Sequence, residues 1–182
     1  MSYNDYFRSS LLLHYSPSSS YSLGYNVEYW NKDEFWINAL NLNYLLKRIN
    51  TRNSQANLYF KSGLGVLYSD LKENEAKKEY VTTVNISADW ETRSKFISYS
   101  SEYKKSEKIA DLFVTKARLG FAPYKANYGK IHTWLMYELS HMNSDNKDFT
   151  SSAILRLFKS TNLFETGIDE NKNFLFNYIK RF

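Results

Sequence analysis

The chain has 182 residues, enough for one substantial domain, with 18% aromatic side chains (16 Tyr and 12 Phe) but only 6 Gly, 2 Pro and no Cys. Without cysteine there is no disulfide framework, thiolate nucleophile or thiolate metal site. The net charge of +5 is spread over turns and polar faces with no basic stripe, which excludes nucleic acid, and with a mean hydropathy of −0.56 no run of about eighteen apolar residues forms a transmembrane helix.

From the N-terminus, MSYNDYFR has neither the apolar core nor the cleavage site of a signal peptide. Beyond it the chain alternates between apolar and polar residues almost throughout. Alternate residues of a β-strand face opposite ways, so a period of two marks strands with two different faces. The pattern predicts eleven, over 7–16, 21–31, 34–48, 56–69, 80–91, 95–105, 111–122, 129–142, 151–159, 163–169 and 173–182. In the second, Tyr21, Leu23, Tyr25, Val27 and Tyr29 oppose Ser22, Gly24, Asn26 and Glu28. The third changes phase near Ala39 and Leu40, which reads as a β-bulge. The fourth sets Leu58, Phe60, Leu64, Val66 and Tyr68 against Asn57, Tyr59, Lys61, Gly63 and Gly65. The two glycines leave room there for a bulky neighbour such as Tyr59 or Trp134.

Alternation does not say which face is inside. Three features turn the apolar face outward. The polar rows carry charges of both signs at mid-strand. Charges in the apolar rows, such as Lys95, Lys159 and Lys180, fall at strand ends. Aromatics bracket apolar rows, with Tyr80 and Trp90 on one strand and Phe113 and Phe121 on another, as a membrane-facing girdle requires. The expectation is a single all-β domain over 1–182, an antiparallel up-and-down transmembrane β-barrel. A soluble barrel or sandwich is the competing reading.

Longer polar connections, 70–79, 104–110 and 143–150, alternate with tight ones, 91–95 and 159–163. This places the C-terminal end on the periplasmic side and Lys72, Lys77, Lys78, Lys104, Lys105 and Lys108 in outer loops. Bacterial single-chain barrels have even strand numbers. Eleven strands therefore imply a twelfth upstream of Met1, together with a signal peptide, or else ten with one strand divided. In the first case the strands over 7–16 and 173–182 would flank an open seam.

The last strand carries Phe174, Phe176, Tyr178 and the terminal Phe182 on one face. It resembles the C-terminal assembly signal of bacterial outer-membrane proteins, from which Lys180 departs. Together with LLKR at 45–48, NSQANLYFKSGLGV at 53–66, HYSP at 14–17, FAPY at 121–124 and HTWLM at 132–136, it makes the chain resemble an uncharacterised family of proteobacterial outer-membrane β-barrel proteins. That resemblance implies a barrel, an outer-membrane address, and lipid, lipopolysaccharide and the barrel assembly machinery as partners of a monomer. It brings no activity and no cofactor.

The candidate lumen-lining residues are Glu28, Lys61, Asp89, Glu102, Lys116, Arg118, His132, Glu138, Arg156 and Arg181. In a wide lumen such groups line a passage and tune ion selectivity; in a narrow one they pair and plug it. The two readings are a small passive pore and a closed structural or envelope-interaction barrel. His14 and His132 share the polar face, so an outer-membrane hydrolase is a third, although no Ser or Asp spacing singles out a catalytic pair. His132 and Glu138 lie about 20 Å apart along one strand, too far to share a metal ion.

Overall fold

The computed structural model describes residues 1–5, 7–69, 78–127, 129–143 and 149–181. These form twelve antiparallel strands: β1 Ser2–Asn4, β2 Arg8–Tyr15, β3 Tyr21–Trp30, β4 Phe35–Asn50, β5 Ser54–Ser69, β6 Lys78–Thr92, β7 Lys95–Ser106, β8 Asp111–Phe121, β9 His132–Met142, β10 Thr150–Lys159, β11 Asn162–Asp169 and β12 Phe174–Lys180. Each pairs with its neighbours in sequence, and β1 pairs with β12, so the sheet closes into an up-and-down barrel. No helix among the described residues is long and apolar enough to cross a membrane, which says nothing of strands.

The eleven expected strands are all present, and the seam expected between the first and last of them is filled. Ser2, Tyr3 and Asn4 pair with Leu11, Ser10 and Ser9 on one side and with Tyr178, Asn177 and Phe176 on the other. Three residues are too few to display a period, so β1 left no trace in the pattern.

The register through Ala39 and Leu40 is unbroken, which corrects the bulge expected there; the shift lies at Leu45/Lys47. What changes near Ala39 is the chemistry of the inner face. Phe35, Ile37 and Ala39 point inward into a buried cluster, then Asn41 and Asn43 face a cavity, while Leu40, Leu42 and Tyr44 stay outside.

Short links carry their own side-chain caps. Thr92 Oγ1 accepts from the backbone N–H of Ser94 and Lys95 at 3.2 and 2.9 Å in the 93–94 link. Asp169 Oδ1 accepts from the N–H of Asn171 and Asn173, both at 2.8 Å, between β11 and β12. The tight links at 93–94 and 160–161 lie at the end that holds the C-terminal end of β12, as predicted, and 107–110 lies at the other; Met1 lies at the same end as the tight links, which the eleven-strand count did not give. The alternation is imperfect, because the terminal end also carries the ten-residue connection 122–131 where the sequence had suggested a strand starting at Gly129.

The outer surface is apolar around the barrel. Leu40 and Leu64 are each 70% exposed at mid-strand. Tyr80 and Phe113 stand on the outside toward one end, Trp90 and Phe121 toward the other, all four exposed. Lys95, Lys159 and Lys180 are exposed at strand ends.

Candidate functional site

The inner face is built in layers. Toward the end opposite the termini, Trp30, Phe35, Ile37, Leu67, Val81 and Met142 bury one another with Phe7 packed against them. The crevice beside Phe7, Trp30 and Met142 is about 20 Å³, room for a single water. Toward the terminal end, Trp134, Met136, Ile154 and Leu175 form a second apolar cluster, backed by Tyr3 and Phe96.

Ion pairs fill much of the space between. In one array, Arg8 Nη1 reaches Glu28 Oε1 at 3.5 Å and Glu102 Oε2 at 3.0 Å, and Lys104 Nζ reaches Glu28 Oε2 at 2.9 Å and Glu102 Oε1 at 3.1 Å. Asn26 and Trp30 also donate to Glu28, at 2.6 and 3.0 Å. In the other, Arg118 bridges Glu138 at 2.6 Å and Glu165 at 3.0 Å, and Arg156 Nε meets Glu165 Oε1 at 2.5 Å. Asn177 donates to the second oxygen of Glu165 at 2.9 Å. Lys116 contacts Asp5 at 3.3 Å and Glu138 at 3.8 Å and donates to Tyr3 Oη at 2.7 Å.

The charges cancel. Arg8, Lys104, Lys116, Arg118 and Arg156 face Asp5, Glu28, Glu102, Glu138 and Glu165. The β1–β2 hairpin ties the arrays together, since Arg8 belongs to one and Asp5 to the other. Burial pushes the Asp5 carboxyl up, but the Lys116 ammonium and Arg8 guanidinium outweigh it and hold the group below the usual carboxylate range.

Seven of the ten expected lumen residues lie in or beside these arrays or the cavity: Glu28, Lys61, Glu102, Lys116, Arg118, Glu138 and Arg156. Asp89 accepts from Asn57 at 2.8 Å. His132 is on the inward face at the rim, its Nε2 3.2 Å from the Tyr124 carbonyl and its ring 5.0 Å from Trp134. Arg181 lies beyond the end of β12 and is exposed, so it does not line the lumen. Its phase is right, but the strand ends at Lys180.

Lys104 corrects a second expectation. It is 2% exposed, inside β7, and not in an outer loop. Lys105, exposed and paired with Asp111, and Lys108 fit the loop-end placement. Lys78 is exposed at the start of β6, while Lys72 and Lys77 lie outside the described residues. Asp5, Arg8 and Glu165 were not foreseen. Arg8 and Glu165 sit in phase with inward residues, and that phase was the available signal.

The glycine pair serves a different neighbour from the one expected. A Cβ on Gly63 would fall 2.2 Å from Asn41 Oδ1, and one on Gly65 would fall 2.3 Å from the Asn38 carbonyl. The room goes to β4, and not to Tyr59 or Trp134.

A cavity of about 330 Å³ lies on the β3–β7 side of the lumen, where the ion pairs leave space. Asn41 and Asn43 of β4, Lys61 of β5, Asn85 of β6 and Ser100 of β7 line it. Met1, Leu12 and Ile179, all at the terminal end of the barrel, complete it there. No group of three or more acidic or histidine side chains able to hold a metal occurs among the described residues.

His14 is exposed near the end of β2, and the His141 ring packs 5.5 Å from Phe149. Phe174, Phe176 and Tyr178 all point outward from β12, with Phe176 edge-on to Phe164 at 5.1 Å; Phe182 lies outside the described residues. No family model, curated protein or solved structure matches the chain.

Proposed function

We propose that this chain is a monomeric β-barrel of the bacterial outer membrane whose lumen is shut at rest, a membrane-anchored scaffold with an internal polar chamber. The observation that carries the reading is the pairing of opposites across the sheet. The outer face is apolar with aromatics toward both ends, and on the inner face, among the described residues, two arrays pair five cations with five carboxylates. Closure supports a membrane address because hydrocarbon offers no partner to an unpaired strand edge. Mutual neutralisation supports a shut lumen, because paired charges are held across it and leave few free groups to conduct ions. Lipid and lipopolysaccharide are then the partners of the outer face, and the assembly machinery that of the outward aromatic row on β12.

The test is single-channel recording in a planar bilayer with the refolded protein. Insertion without current steps is the expected result. Stable steps whose ion preference shifts when Lys116 and Arg118 are neutralised would replace this reading with a small passive pore. That second reading draws on the 330 Å³ cavity, which already occupies one side of the lumen toward the terminal end.

A further inference from the structure

The chamber beside β4–β7 contains two unmet demands. The other lysines and the arginine that line it, Lys104, Lys116 and Arg8, each contact a carboxylate, but Lys61 has no ion pair among the described residues. Its ammonium sits 5.9 Å from the Tyr59 ring centroid. Directly opposite it in the β5–β6 register stands Asn85, whose Oδ1 is buried with no hydrogen-bond donor among the described residues. A cation without a counter-ion and an acceptor without a donor are both costly away from bulk water. The cation is relieved by a bound anionic group in the chamber.

The rest of the wall narrows the class of ligand. Lys61 is the lining side-chain cation that touches no carboxylate among the described residues, so it offers one place for a single anionic group. Asn41, Asn43, Thr83 and Ser100 present amides and hydroxyls that donate and accept, as a ligand rich in hydroxyls requires. A volume of about 330 Å³ falls at the small end of ligand sites, which run from about 300 to 1,000 Å³.

We propose that the chamber binds a small polyhydroxylated monocarboxylate of the sugar-acid class, with its carboxylate on Lys61. This goes beyond a shut scaffold and needs only the barrel interior, so it is tested in detergent, independently of conductance. The experiment is calorimetric titration of the refolded barrel with gluconate, with sorbitol as the same polyol lacking the carboxylate. Heat-modifiable migration on gels establishes that each protein is folded.

Gluconate should bind saturably at one site, weaken as sodium chloride rises, and resist competition by sorbitol. Lys61→Gln should weaken it by about tenfold or more, the loss of one charge-assisted hydrogen bond, while Lys61→Arg retains it. If Lys61→Gln does not fold, Asn85→Asp is read instead; a like charge beside the carboxylate should abolish binding. No saturable heat with gluconate, equal binding of sorbitol, or unchanged affinity in the folded variant would overturn the proposal.

Discussion

Glu165 is 1% exposed and holds three donors at once: Arg118, Arg156 and Asn177. Buried ion pairs add little net stability, because desolvation offsets attraction, but removing one partner strands the other charge. Glu165→Leu should therefore destabilise the barrel by about 3–5 kcal/mol, measured by urea unfolding in lipid vesicles. Glu165→Leu combined with Arg156→Met should recover part of that loss, since it removes a stranded cation as well. A single variant as stable as the parent would mean that the arrays do not hold the lumen together. The sequence made Arg118, Glu138 and Arg156 legible as inward residues because they sit at mid-strand on polar rows. It could not show that Glu165 joins two of these charges, because cross-barrel distance has no trace in strand phase.

Strand length governs how much of each element could be read. β4 and β5 have 16 residues each, and their alternation was plain apart from the change of inner chemistry near Ala39. β1 has three, and only its closure between β2 and β12 identifies it. The close approach of β4 and β5 was likewise invisible. A methyl group on Gly65 would meet backbone, the Asn38 carbonyl at 2.3 Å and the Ala39 Cα at 2.8 Å, which cannot rotate away. Gly65→Ala should cost about 1–3 kcal/mol by overpacking, seen as an earlier urea midpoint with unchanged slope. An unchanged midpoint would show that the two strands part without penalty.

For the molecule as a whole, the outer face is apolar around the barrel, while the ion pairs are held inside, between two apolar clusters. Leu64, 70% exposed on the outer face and paired with Leu40 at mid-strand, is the place to test what surrounds that face. Leu64→Arg should lower folding stability in vesicles by about 2–4 kcal/mol, the cost of a cation near a bilayer midplane. The same change in a water-exposed barrel would be nearly neutral, and that result would remove the membrane reading.

The alternation of residues alone determined that this chain forms long strands with one apolar and one charged face, because a period of two is a local property of extended backbone. It also determined which side chains share a face. Only the tertiary structure decided that Ser2–Asn4 closes the ring, that Lys104 turns inward, that five carboxylates meet five cations, and that Lys61 has no ion pair among the described residues. These depend on distances between strands far apart in sequence. Closure and register set those distances, and no single strand's pattern encodes them.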